Sequence, residues 1–469
     1  MKKKVWTILT ISLIFSSIVL KMGDSLHNYE ENNQDYSLSL SSSDSWSRIV
    51  KEGGRIHPPF CELVNGTLYV IGQLISWDNS KFYIYVSKFS VTGTKEWETT
   101  IETQTVVSIS YDFDMENNLF ILSREFNLPF TFLIKIDSSG KILYSKELTS
   151  AMHSFNSLLL SQNNSVLILG YYYLPPGRQS LFIMNYNNDG QHLWNCSFYL
   201  DYYDSRFSPV RDSGNNMYFS FRNNSINYIT KINSSGAIEW QKKLEYNINR
   251  FFVGSDDSLY LLGGKNLSTG YILKLNSFGN QSKEITITNY EPYFIRAWYL
   301  NDLLVYHEGS MWLLCYDTYL NLKWNSSFSD YLSSYAGTIT SLVKDSQDNI
   351  YIAQQNDVSH NIILVKVSST GNVLSSIIWG GGLVSDFRSF NIDLENNLYF
   401  TCICSVFVQC IPLVYTVFIK NPVNGGVPPV PKIFLEFYIG ISCVFSLIVL
   451  LSILIRNKKR TGKFVLKTW

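Results

Sequence analysis

Apolar and polar positions alternate in short runs along most of the chain, and polar turns break the runs at short intervals. Period-two alternation is the mark of half-buried strands. The stretch IKIDSSGKILYSKEL (134–148) shows the unit. A strand enters Asp-Ser-Ser-Gly, Gly140 closes the turn, and a second strand leaves it.

The unit recurs. The turn glycine falls at Gly93, Gly140, Gly190, Gly236, Gly279 and Gly371, with Leu320 in the equivalent slot. Four residues later stand Trp97, Tyr144, Trp194, Trp240, Lys283, Trp324 and Ser375. Five residues earlier stand Lys88, Lys135, Asn185, Lys231, Lys274, Cys315 and Lys366. A second phrase lies between these copies: MENNLF (115–120), SGNNMY (213–218), SDDSLY (255–260), SQDNIY (346–351) and LENNLY (394–399). Weaker copies at 64–69, 162–167 and 300–305 bring it to eight, spaced by about 47 residues.

Each unit thus predicts four short strands. A period of this length with four strands is the signature of a β-propeller. A lone four-stranded sheet leaves apolar faces uncovered, and stacking such sheets in a closed ring covers them. The expected fold is all-β, an eight-bladed propeller over 45–420, with seven blades as the alternative. SWSRIV (45–50) resembles the Trp strand without its turn, so it is expected to complete the last blade by pairing near Leu413–Ile419.

Within the unit the expected roles are structural. Glycine supplies a positive φ, and Trp fills the layer between blades. Asp114, Asp212, Asp345 and Asp393, six residues before the aromatic slot, bond turn amides. Calcium binding is their rival role, without any EF-type spacing behind it. The Lys is expected at a strand end, its stem packed and its head in water.

The pattern K-x-x-x-x-G-x-x-x-W followed by G-G…D…D-x-x-N-x-Y resembles the SBBP-type propeller repeats of bacterial and archaeal surface proteins. IIWGGGLVSDFRSFNIDLENNLYFTC (377–402) is the fullest match. The G-x-x-x-W element is also similar to the tryptophan repeats of pyrroloquinoline-quinone dehydrogenase-like propellers, which have eight blades. The resemblance covers about four fifths of the chain and is specific for fold. Propellers serve as enzymes, scaffolds and adhesive modules, so it implies no single activity.

The ends depart from the repeat. Lys2–Lys4 precede the apolar run Val5–Leu20, which makes 1–25 a signal peptide or a retained signal-anchor. Residues 26–44 form a polar linker. NPVNGGVPPVPK (421–432) is a Pro/Gly spacer. Ile433–Ile455 carries one charge, Glu436, and is long enough to be a transmembrane helix. Arg456, Lys458, Lys459, Arg460, Lys463 and Lys467 follow and assign 456–469 to the cytoplasm. The apolar segment 399–419 could imitate a span, but the repeat register and Pro412 favour strands. The expected protein is cell-membrane-anchored and single-pass, with an extracytoplasmic ring.

Charge sharpens this. The chain has 38 basic and 38 acidic residues, but nine of the basic ones lie at its ends. Residues 5–455 hold 29 basic against 38 acidic residues, a net charge of −9. An acidic ectodomain excludes nucleic acid as the expected partner. Eight N-x-S/T sequons lie in this region, from Asn65 to Asn325, close to the number chance supplies.

Candidate chemistry is sparse. The six His (His27, His57, His153, His192, His307 and His360) form no H-E-x-x-H, and no G-x-S-x-G occurs. Gly380–Gly382 opens no helix and so is no phosphate loop. The vicinal Cys pair of quinone dehydrogenases is absent, with Cys402 and Cys404 the nearest approach. Cys410 could bridge to either, and buried free thiols are the other reading. The sequence therefore assigns no catalytic residue, no metal ligand and no cofactor. The leading expectation is a binding or adhesion module for a protein, glycan or envelope component. The alternatives are a scaffold in an envelope assembly or secretion complex, and an exported quinone-dependent oxidoreductase or polysaccharide-active enzyme.

Overall fold

The computed structural model describes residues 46–419 except 52–54, 77–79, 106, 126–129, 149–152, 163, 175–177, 201–208, 224–225, 267–268, 289–294, 308–310, 333–338, 357, 380–383 and 407–410. Among the described residues every helix or strand element is a strand, and the strands form eight four-stranded antiparallel sheets. The expectations for 1–45 and 420–469 lie outside the described residues, the C-terminal helix among them. Among the described residues no helix is long and apolar enough to cross a membrane.

Blade 1 comprises β2 (Arg55–Val64), β3 (Thr67–Ile75), β4 (Phe82–Phe89) and β5 (Lys95–Thr103). Six blades of the same order follow, over 107–147, 153–200, 210–244, 247–288, 295–327 and 339–379. Blade 8 differs. Its first three strands are β30 (Val384–Ile392), β31 (Leu398–Val406) and β32 (Ile411–Ile419), and its fourth is β1 (Trp46–Lys51) from the other end of the chain. Trp46 pairs with Phe418 and Ile49 with Tyr415, close to the register expected of SWSRIV. The described parts of the apolar segment 399–419, up to Val406 and from Ile411, are strand, as the repeat required.

Eight apolar clusters fill the eight seams between consecutive blades. One joins Tyr69, Ile71, Ile84 and Val86 of blade 1 to Leu119, Ile121 and Ile134 of blade 2. Another joins Cys61, Val70 and Tyr85 of blade 1 to Tyr399 and Ile403 of blade 8, which closes the ring. First strands of neighbouring blades pack on one another and line the centre.

The two faces of the ring are unequal. First-to-second and third-to-fourth strand connections share one face, and all but two of its fifteen turns span five residues. In these turns one backbone pair closes the base and another the tip, as in Asp137 N to Lys141 O and Gly140 N to Asp137 O, both 2.9 Å. The opposite face carries connections of two residues (245–246) to eleven (328–338). These are called the turn face and the loop face below.

The repeat residues weld each blade to the next on the turn face. Trp97 Nε1 donates to Ser138 O of blade 2 at 3.1 Å, and Trp194, Trp240 and Trp324 do the same to Ser234, Ser277 and Ser369. The indoles lie flat on the turn glycines of the next blade. A Cβ built on Gly140 or Gly236 would stand 2.6 or 2.7 Å from the ring. Glycine is needed twice over, for its positive φ and for the missing side chain. Leu320 holds a φ of 58° in the same slot, with its side chain buried.

The turn aspartates act as expected. Asp114 Oδ1 accepts from Glu116 N and Asn118 N, and its Oδ2 from Asn118 Nδ2. The lysine expectation is corrected. Lys135, Lys231, Lys274 and Lys366 are 5–8% exposed, so their heads are not in water. Lys231 reaches Asp212 at 3.2 Å, Lys274 reaches Asp256 at 2.7 Å and Lys366 reaches Asp345 at 3.0 Å. Each ammonium also sits over the aromatic slot of its own blade, Tyr218, Tyr260 or Tyr351. A buried ammonium needs such partners, because desolvation alone would expel or neutralise it.

Candidate functional site

On the turn face Asp212 and Asp345 are held by turn amides, Asn side chains and lysines. Burial acts to raise Asp212 and Asp345, but hydrogen bonds from Asn216 and Asn349 and from the paired lysines hold both below the usual carboxylate range. Among the described residues no three His, Cys, Asp or Glu are placed to hold a metal ion. Three histidines have described side chains, and they stay apart. His192 is on the outer strand of blade 3, His307 is buried in blade 6, and His360 sits on the loop face of blade 7. Cys61, Cys196 and Cys315 are free thiols, and burial pushes them up to about 11, 11 and 12. Inert buried thiols fit those values. Any bridge to Cys410 lies outside the described residues.

Two arrangements remain that the ring does not need. The first is on the inner strands. Edge groups of each first strand face the centre, and side chains of the preceding blade satisfy several of them. Ser389 Oγ accepts from Cys61 N at 2.6 Å, and Asn391 Nδ2 donates to Cys61 O at 2.8 Å. Ser110 and Asp112 play the matching parts between blades 2 and 3, accepting from Leu158 N and Leu160 N. Asp112 also accepts from Phe113 N. That role explains Asp112 and Asn391.

It does not explain Glu62 and Arg211. Glu62 stands in blade 1 where Asp112 stands in blade 2, each paired directly with the aromatic slot, Tyr69 and Phe120. Burial, then the neighbouring Asp112 charge, raises the Glu62 carboxyl, and Tyr111 hydrogen-bonds it. Burial also raises Asp112, against the amides of Leu160 and Phe113 and the charge of Arg211. Burial lowers Arg211, and its Nη1 is buried with no hydrogen-bond partner among the described residues. Among the described residues, Glu62, Tyr111 and Arg211 converge on Asp112, and Glu62 and Arg211 are surplus to the repeat pattern. Two carboxyls of raised proton affinity beside a phenol and a guanidinium could exchange a proton with a bound molecule.

The Glu62 shift gives a testable sign. Its folded value lies above its unfolded one, so the stability it contributes is present below about pH 4 and is lost as pH rises through the folded value. Glu62→Gln is therefore expected to be more stable than the natural chain at pH 7, with the difference vanishing below about pH 4. Urea midpoints at both pH values check this.

The second arrangement is on the loop face of blades 6 and 7. Trp312, Tyr331 and Val358 are 36%, 41% and 77% exposed. Their backbones are held. Phe328 N donates to Met311 O, and Leu332 N and Tyr331 N both donate to Phe328 O. Phe328 and Leu332 are buried on either side of Tyr331. Asn356 Oδ1 accepts from Val358 N and Ser359 N. Exposed aromatic side chains on fixed backbone are the usual anchors of recognition surfaces, because little entropy is lost on contact.

Comparison with known proteins assigns no family to the chain. No family model matches the chain, and no curated protein matches it. The SBBP-type and quinone-dehydrogenase resemblances thus have no family model behind them. Solved structures do match. One is a catalytically inactive virginiamycin B lyase from Staphylococcus aureus with quinupristin, at 13% identity over 67% of this chain and 96% of that one, with a TM-score of 0.43. A polysaccharide lyase, Uly1, matches at 8% identity over 80% and 91%, with a TM-score of 0.41. A eukaryotic initiation factor matches at 9% identity over 73% and 89%, with a TM-score of 0.44. These likenesses are too distant to carry an argument about activity.

Proposed function

We propose that the chain is a membrane-anchored, extracytoplasmic binding module that holds a protein, glycan or envelope component on its loop face. One observation carries the reading. The turn face is uniform and its repeat residues are used in welding blades, whereas the loop face varies in length from blade to blade and presents Trp312 and Tyr331 on fixed backbone. A rigid scaffold with variation confined to one face is the arrangement that recognition needs. The anchor rests on the apolar run 433–455 and its basic flank. Protease treatment of intact cells making the full chain tests that half. The ring should be shaved at the 421–432 spacer while the 456–469 tail survives, and a digested tail beside an intact ring would reverse the topology.

A second reading has its own observation. The Glu62, Tyr111, Asp112 and Arg211 group suits an exported polysaccharide-active enzyme using acid–base chemistry at the centre of the ring. The quinone-dependent version is not favoured. The tryptophans behind the quinone-dehydrogenase resemblance lie against turn glycines between blades, the structural place expected of them, and lend that version no support of their own. Turnover of acidic polysaccharides by the full chain in mild detergent, abolished by Glu62→Gln, would move the assignment to the enzyme.

A further inference from the structure

Both ends of the described chain leave the ring on the turn face. Trp46 opens β1 opposite Phe418, and Ile419 closes β32 opposite Leu398, which follows the turn at 393–397. Thirteen residues then separate Ile419 from Ile433, the start of the apolar run. As an extended Pro-rich segment they reach about 40 Å at most, so the tether alone permits several orientations of the ring.

The turn face carries a second, independent mark. Among the exposed large apolar side chains of the described residues, the most exposed is Leu394 at 96%, followed by Met115 at 78%, Phe278 at 77% and, on the loop face, Val358 at 77%. Leu394, Met115 and Phe278 occupy turn tips on the turn face, and Val91 is a fourth. The turns do not require them, since Ser138, Ser213, Ser234 and Ser346 serve at comparable tips. Tyr319, also exposed there, has a structural use over Lys274 Nζ. Leu394, Val91 and Met115 belong to blades 8, 1 and 2, so they flank the point where the chain ends leave.

We propose that the turn face rests on the bilayer surface, with Leu394, Met115 and Phe278 in the headgroup region and the loop face held away from it. This rests on the anchored reading above. Apolar tips around a tether gain contact area with the interface at little cost, since the tether already supplies the proximity. The occupant is a zwitterionic bilayer. Glu116, Asp189 and Glu395 are exposed beside the tips and oppose anionic lipid.

The test uses the full chain reconstituted in phosphatidylcholine vesicles that contain a lipid with a shallow nitroxide quencher. A fluorescent amino acid replaces Leu394, Phe278 or Val358, one at a time. The expected result is loss of most emission at 394 and 278 and retention at 358. A chain that floats with the vesicles while 394 and 278 stay bright would overturn the orientation and leave the anchor standing. A chain that does not float would overturn the anchor, and the orientation with it.

Discussion

Asp345→Ala is expected to destabilise the ring by about 3–5 kcal/mol, because it strands a buried ammonium. The Lys366 and Asp345 side chains are 7% and 0% exposed and lie 3.0 Å apart. Asp345 also accepts from Gln347 N, Asn349 N and Asn349 Nδ2, so the turn loses three further bonds. Lys366→Met should cost less, since it keeps the stem's packing and leaves Asp345 with those three donors. The pH dependence separates the pair from plain packing. Asp345 is held low, so its contribution is present above about pH 4 and is lost as pH falls through the folded value. Burial acts to lower Lys366, but its contacts with Tyr351 and Asp345 raise it on balance. Its contribution is present below about pH 10 and is lost as pH rises through the folded value. The gap between the natural chain and Asp345→Ala should therefore be flat from about pH 5 to 9 and narrow at acid pH. Guanidinium midpoints across that range measure it.

Gly236→Ala is expected to be nearly as damaging, at about 3 kcal/mol. Two terms add. Gly236 holds a φ of 86°, and the new Cβ would stand 2.7 Å from the Trp194 ring. Gly66→Ala isolates the first term, since φ there is 75° and nothing lies within 4 Å. It should cost only about 1–2 kcal/mol. The second term should disappear when the ring is removed. In a double-mutant cycle, Gly236→Ala on a Trp194→Ala background should cost about as much as Gly66→Ala alone. Equal effects of Gly236→Ala and Gly66→Ala in the natural chain would show that the indole yields, and that the weld between blades 3 and 4 is looser than its geometry.

These residues were legible in the sequence because they serve the repeat. Gly236 and Trp194 recur at fixed offsets, so their partnership with a turn could be read from spacing alone. Blade count and the β1 clasp followed from the same register. The lysine burial was missed, although a signal existed. In blades 2, 4 and 7 the Lys slot and the Asp slot are filled together (Lys135 with Asp114, Lys231 with Asp212, Lys366 with Asp345). In blade 3 both are absent, with Asn185 and Ser161 in their places. Co-occurrence in these blades points to contact, although blade 1 has Lys88 without an Asp in the slot (Leu63) and blade 8 has Asp393 without a Lys (Phe418), so the signal is partial. Blade 5 hides it further, because Gly254 fills the Asp slot and Asp256 supplies the carboxylate.

The candidate sites were not legible, for a different reason. Glu62, Asp112 and Arg211 are spaced by fifty and by ninety-nine residues, and only the ring brings blades 1, 2 and 4 around one centre. Alternation marks these segments as strands, but does not say which charges meet. Tyr331 carries no pattern at all. It becomes notable because Phe328 and Leu332 are buried beside it and hold it outward on the loop face.

That residue offers the most direct test of the functional reading. A photo-crosslinking amino acid would replace Tyr331 in the full chain, in cells that export it, with Leu143 on the outer rim of blade 2 as the control site. Leu143 is 47% exposed, close to Tyr331 at 41%, so accessibility is matched. A discrete crosslinked species from 331 and none from 143 is the predicted result, its added mass giving the class of partner. Equal diffuse labelling from both sites, or a discrete product from 143 alone, would contradict recognition through the loop face.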